Sequence, residues 1–188
     1  MAQFDSVALH QALTVLGNVL SDRHLHFEVV AIGGGGLLLL GMIFRPTKDV
    51  DLVALIDNGC FISAKYLPIP LLEAINEVGS ALQLGENWVN TGPSDLFLMG
   101  LPEGFADRMS THQYSGLILH LAGRFDQICF KLYASVDQGP HSKHFEDLKS
   151  LKPTQTELET AANWCKTHDV STAFATDLSK ALVALGGC

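Results

Sequence analysis

The stretch that most restricts what this chain can become is residues 32–53, IGGGGLLLLGMIFRPTKDVDLV. The preceding residues Phe27–Ile32 (FEVVAI) are rich in β-branched and aromatic side chains and predict a buried strand. Gly33–Gly36 punctuate the run, and Leu37–Ile43 then predict a helix. Arg45-Pro46-Thr47-Lys48 form a polar connection, with Pro46 ending the helix, and Asp49–Ile56 (DVDLVALI) predict a second strand. Side chains two apart on a strand share a face, so Asp49 and Asp51 project together while Val50 and Leu52 turn to the core. Two carboxylates a few ångströms apart repel each other unless a cation lies between them. Magnesium prefers hard oxygen ligands and is commonly held by one or two carboxylates plus phosphates. Glycine permits positive φ and close backbone approach, and main-chain N–H groups at a helix start can cradle phosphate. The stretch thus pairs a metal clamp, Asp49 and Asp51, with a phosphate turn, Gly33, Gly34 and Gly35.

The rest of the chain frames that unit. Phe4–His24 carries apolar residues at spacings of three and four, which predicts an amphipathic helix capped by Asp5 or Ser6. Pro68–Leu84 predicts another helix, and Gly85–Pro93 a loop carrying Trp88. Leu96–Met99 and Leu117–Leu121 are short strand candidates. Four helices follow, over Arg124–Asp137, Ser142–Leu151, Gln155–His168 and Ser171–Leu185. The third opens with Thr154 as N-cap and Glu157 three residues on, the spacing of a capping box. Strands gather early and helices late. The pattern predicts an α+β fold with a mixed β-sheet flanked by helices and a C-terminal helical region, divided as residues 1–123 and 124–188.

Composition narrows the class. A chain of 188 residues that is 47% hydrophobic and 17% charged can pack a core. A net charge of −8 argues against tight, non-specific nucleic-acid binding. The apolar run over Val29–Phe44 is shorter than the roughly 20 residues a membrane span needs, and Gly33–Gly36 break it, so no membrane is expected. Cys60, Cys129, Cys165 and Cys188 are too scattered for a structural zinc site. Met1–His10 lacks the pattern of a signal peptide, and a cytoplasmic location with reduced thiols is the expectation.

The order hydrophobic residue, Gly33-Gly34, helix, then Asp49-Val50-Asp51-Leu52 resembles the signature of the DNA polymerase beta-like nucleotidyltransferase superfamily. Arg45-Pro46-Thr47-Lys48 is similar to the segment before the acidic pair in small bacterial nucleotidyltransferase-like proteins, including relatives of toxin–antitoxin components. The later runs Arg124-Phe125-Asp126, Lys131–Ala134 and Lys143–Leu148 resemble the second half of that group. The resemblance implies Mg²⁺-dependent transfer of a nucleoside monophosphate from a nucleoside triphosphate to a hydroxyl of a protein, RNA or small-molecule acceptor. A two-metal arrangement would activate the hydroxyl and stabilise the leaving pyrophosphate. Asp49 and Asp51 would be the catalytic metal ligands, and Gly33, Gly34, Gly35, Arg45, Thr47, Lys48 and Lys131 the nucleotide-binding residues. It also implies a homo-oligomer or a cognate antitoxin-like partner. Active members place a third carboxylate on a later strand; Gly116–Leu121 has none, with His120 its one polar side chain, and Asp95 or Asp107 is the substitute. The alternative is a catalytically inactive nucleotidyltransferase-fold protein, serving as a nucleotide-binding or protein-interaction module in a toxin–antitoxin-like system.

Each residue also has a plain reading. The glycines can simply pack a helix on a strand, and the aspartates can be a solvated strand edge. Arg45 and Lys48 can be loop charges. Lys131, in an apolar helical stretch, reaches either a buried partner or the surface. Lys143 and Asp147 have the spacing of a surface helix pair. Trp88 either stacks on a base or anchors a loop.

Overall fold

The computed structural model describes residues 3–186. The chain is α+β: a mixed six-stranded sheet flanked by helices, followed by C-terminal helices. It forms two compact units, one containing the chain up to Leu101 together with Met109–Ala122, the other Pro102–Arg108 with everything from Gly123 onward. Cys188 lies outside the described residues; Cys60, Cys129 and Cys165 are free thiols.

In the first unit, α1 (Ser6–Asp22) starts at Asp5, whose carboxylate accepts a hydrogen bond from the Ala8 amide at 2.8 Å. This satisfies one of the donors a helix start leaves orphaned. Its buried stripe, Leu9, Leu13, Leu16 and Leu20, recurs at the spacing of one helical face. The central strands are β1 (Phe27–Ile32) and β2 (Val50–Asp57), paired antiparallel. β3 (Cys60–Ser63) pairs antiparallel with β2, β6 (Leu117–Leu121) runs parallel to β1, and β5 (Ser110–Tyr114) closes the far edge against β6. The two-residue β4 (Val89–Asn90) runs parallel to the start of β2. The core between α1, α3 (Ile69–Ala81) and the sheet is made by Leu13, Leu16, Val29, Leu52, Leu71, Ile75, Leu117 and Leu119, all buried.

Three expectations are corrected. α2 spans Gly33–Leu39, so the glycines form its first turn instead of preceding it, because packing overrides their poor helix propensity. The helix ends at Gly41, not Pro46. Gly41 takes φ +68°, its N–H bonds to the Leu38 carbonyl at 3.1 Å, and the Met42 N–H reaches Leu37 at 2.9 Å. That pair of bonds satisfies the last carbonyls in the manner of a Schellman stop, with glycine at the left-handed position. Finally, Leu96–Met99 is not a strand. Asp95–Met99 is a short helix, α4, continuing from the 3₁₀ turn Gly92–Ser94.

The second unit is organised by α5 (Arg124–Gln138), which packs against α6 (Lys143–Ser150), α7 (Gln155–His168) and α8 (Thr172–Ala184). Arg108 donates to both oxygens of the fully buried Asp126, at 3.1 and 2.6 Å. Arg124 bonds the Leu151 carbonyl at 2.7 Å and pairs with Glu157, tying the end of α6 to the start of α7. The expected capping box is present: the Thr154 hydroxyl accepts from the Glu157 amide at 3.2 Å, and Glu157 accepts from the Thr154 amide at 2.8 Å. Burial acts to raise the Glu157 carboxyl, but the hydrogen bonds from Arg124 and Thr154 outweigh it and hold it below its ordinary value of 4.5. A carboxyl lowered on folding adds stability above its unfolded pKa, lost as pH falls through the folded one. Thr154→Ala is expected to cost about 1 kcal/mol in urea unfolding at neutral pH. Glu157→Gln is expected to flatten the loss of stability just below pH 4.5. A Glu157→Gln chain with an unchanged acid limb would remove this carboxyl as its cause.

Candidate functional site

The register of β1 on β2 builds the site. Ile32 is the last residue of β1 and stands opposite Asp51, so the turn into α2 leaves the sheet beside that carboxylate. A bulge between Val30 and Ala31 leaves one residue of β2 unmatched, Val53, two positions after Asp51. Such an extra residue bends the strand and re-aims the side chains around it. Val50 and Leu52 are buried and Asp51 is half-buried, the alternation expected from the sequence. Asp49 lies one residue before the strand and is also half-buried.

The glycines and the acidic pair are adjacent. Gly33 takes φ +76°, and a β-carbon there would collide with Oδ2 of Asp51. A β-carbon on Gly34 would stand 3.1 Å from Thr47 Oγ1 and 3.3 Å from a guanidinium nitrogen of Arg45. One on Gly35 would lie 2.7 Å from the Asp49 carbonyl oxygen. Gly33 is half-buried, whereas Gly34 and Gly35 are buried. The glycines therefore let α2 press against the Arg45–Asp51 segment, and the main chain of Gly33 is the part that reaches solvent. The same three glycines, Gly33, Gly34 and Gly35, both pack the helix and line the candidate site.

Thr47 is buried and pinned by the main chain: its N–H and C=O exchange bonds with Phe4 at 3.0 and 2.7 Å. Its hydroxyl lies 3.3 Å from the Asp49 carbonyl and 3.4 Å from Asp49 Oδ1. Arg45 donates to the Pro46 carbonyl at 3.2 Å, with its guanidinium over Gly34. Lys48 is exposed. The structure thus brings together Gly33, Gly34, Gly35, Arg45, Thr47, Asp49 and Asp51.

On the other side of Asp51 stands a residue that the sequence did not single out. Asn90 of β4 is paired with Asp51 in the ladder, and its side-chain amide donates to Asp51 Oδ1 at 2.9 Å. The Asn90 carbonyl oxygen accepts from the Gly92 N–H at 2.9 Å. Asn90 is held there by Trp88, which is buried, donates from Nε1 to the Ile75 carbonyl at 2.9 Å and lies 6.3 Å from Phe4, ring to ring. Trp88 is therefore the core anchor of its loop and not a surface for a base.

The other sequence candidates lie elsewhere in the bonding pattern. Asp95 pairs with Lys65 at 3.4 Å, both exposed. Asp107 belongs to the 3₁₀ turn Ala106–Arg108 of the second unit. On β6, His120 bonds Glu28 and Thr111, each at 3.0 Å. Among the described residues, no group of three or more His, Cys, Asp or Glu is placed to hold a metal ion. Lys131 has a partner in the second unit: its ammonium meets Asp147 at 2.8 Å, with both side chains almost wholly buried. Asp147 is thus no surface partner of Lys143.

No protein family, curated protein or solved structure matches this chain. Among the described residues, no helix is long and apolar enough to cross a membrane.

Proposed function

We propose that the chain is a nucleotidyltransferase of the DNA polymerase beta-like type, taking a nucleoside triphosphate with Mg²⁺ at Asp49 and Asp51. The observation that carries this reading is the contact between Gly33 and the Asp51 carboxylate, imposed by the pairing of Ile32 with Asp51. That contact sets a main-chain turn against the Asp51 carboxylate, with the Arg45 guanidinium beside Gly34 and the Asp49 main chain beside Gly35. Asp49 and Asp51 would hold the cation, and the Gly33 turn and Arg45 the phosphates. A bound Mg²⁺ would supply charge neutralisation on the phosphate oxygens, which together with positioning is most of what phosphoryl chemistry requires. In the transfer, an acceptor hydroxyl oxygen bonds to the α-phosphorus and gives up its proton to solvent, the bond from that phosphorus to the bridging oxygen of the β-phosphate breaks, and pyrophosphate leaves. The acceptor is a hydroxyl of a protein, an RNA or a small molecule. The setting proposed is cytoplasmic, with a second copy or an antitoxin-like protein as partner.

One observation favours a second reading, a nucleotide-binding module that does not catalyse. The residue bonded to Asp51 from the neighbouring strand is an amide, Asn90, where a further carboxylate would enlarge the metal site.

Thermal melting of the full chain with ATP, GTP, CTP and UTP, with and without Mg²⁺, tests both readings. The expected result is a rise in Tm that requires triphosphate and cation together. At a ligand concentration of about 100 Kd the linkage adds roughly 2.7 kcal/mol of stability. Release of labelled pyrophosphate on adding acceptor extract then separates enzyme from binder. Identical melts under all conditions would remove nucleotide binding from both.

A further inference from the structure

We propose that Asn90 is a positioning residue of the cation site: it fixes the Asp51 carboxylate and, being neutral, keeps the charge there to that of Asp49 and Asp51. This rests on the reading of the aspartate pair as a cation clamp. Both ends of the Asn90 amide are committed. Its oxygen must be the end that meets Gly92, since a main-chain N–H can only donate, and its NH₂ must be the end that meets the Asp51 carboxylate, which can only accept. The side chain therefore cannot be flipped without losing both bonds. Its hydrogen bond occupies Oδ1 of Asp51, while Oδ2 is the oxygen turned toward Gly33. The carboxylate is thereby oriented, with one oxygen committed to the sheet and the other facing the glycine turn. Removing a group that orients a metal ligand in this way typically costs about 10- to 100-fold in metal affinity.

A plain structural role competes with this one. The bond from Gly92 to Asn90 is a local turn, and Asn90 could serve that turn alone. The two roles separate in Asn90→Asp. An aspartate still accepts from Gly92, so the turn survives, but it offers Asp51 a second carboxylate in place of an N–H donor. Close carboxylates destabilise each other without a cation and bind one better when it is supplied.

The experiment uses the full chain, with Mn²⁺ alone as probe, followed by melting in EDTA and in Mn²⁺ and by calorimetric titration. Asn90→Asp is expected to melt below wild type in EDTA, to gain more from Mn²⁺ than wild type does, and to bind Mn²⁺ more tightly. Asn90→Ala is expected to weaken Mn²⁺ binding by about 10- to 100-fold. Exchanging the pair, Asp51→Asn with Asn90→Asp, restores an amide facing a carboxylate and is expected to return the EDTA melt to that of wild type. An Asn90→Asp chain that matches wild type in EDTA and in Mn²⁺ affinity overturns the proposal and leaves Asn90 only its turn. If Asn90→Asp is unfolded in EDTA, folding on addition of Mn²⁺ supports the proposal; failure to fold, shared by the exchanged pair, overturns it. A wild type that ignores nucleoside triphosphates while these Mn²⁺ responses hold would end the nucleotide reading and leave the role of Asn90 standing.

Discussion

Lys131→Met is expected to destabilise the chain by about 3–5 kcal/mol, the usual result of removing one partner from a buried ion pair. The Lys131 and Asp147 side chains are 3% and 2% exposed, and their charged atoms lie 2.8 Å apart. The substitution keeps the length of the lysine stem but ends it in a methyl group at the position of the lysine Cε, leaving nothing in place of the ammonium to meet a buried carboxylate. The pair joins α5 to α6, so the loss is expected in the helical unit. Replacing both members, Lys131→Met with Asp147→Leu, is expected to recover most of the loss, because apolar substitutes for a buried pair are often neutral or better. Urea unfolding followed by circular dichroism reads both. A double variant as unstable as the single one would show that the pair does more than compensate its own charges.

Asp49→Ala is expected to abolish the Mg²⁺-dependent binding of nucleoside triphosphate while leaving the fold intact. Asp49 is the better of the two aspartates to change, because it lies before β2 and outside the ladder, whereas Asp51 pairs with Ile32 and accepts from Asn90. Removing one of two neighbouring carboxylates also relieves their repulsion, so the melt in EDTA is expected to be unchanged or slightly higher. The stabilisation of roughly 2.7 kcal/mol expected at about 100 Kd of ligand is expected to vanish. Calorimetry with ATP and Mg²⁺ measures this directly; undiminished binding would take Asp49 out of the site.

What could be read in advance depended on how local the determining signal was. β1, β2 and α7 carry it within themselves, as a β-branched run, an alternating acidic strand and a capping box, and they formed where expected. Leu96–Met99 is a short apolar run, whose period does not distinguish strand from helix, and the preceding 3₁₀ turn draws it into α4. β5, STHQY, has no apolar run to announce it; it forms because β6 offers an edge. Gly33–Gly36 read as a turn because glycine disfavours helix, yet the close approach of α2 to Asp49 and Asp51 is what those glycines permit. Spacing alone points to the approach of the glycines to Asp51, whereas Asp49, expected on the strand, lies one residue before β2. Asn90 could not be placed from spacing, because it meets Asp51 from 39 residues away on a strand of two residues. Lys131 and Asp147 failed for a similar reason: the helical spacing pointed to Lys143, while packing between two helices chose Lys131.

The short passage Pro102–Arg108 belongs to the helical unit although it interrupts the chain of the sheet unit, which resumes at Met109 and continues to Ala122. Arg108, at its end, supplies the guanidinium for Asp126 near the start of α5, a carboxyl that burial pushes upward against the pull of that arginine. Neither unit is therefore a continuous stretch of polypeptide. A fragment begun at Gly123 would carry every C-terminal helix and still lack the arginine that neutralises Asp126. The helical half depends for one of its interior charges on a residue encoded upstream of the last two strands, so during synthesis the sheet's final hairpin emerges between the two members of that pair.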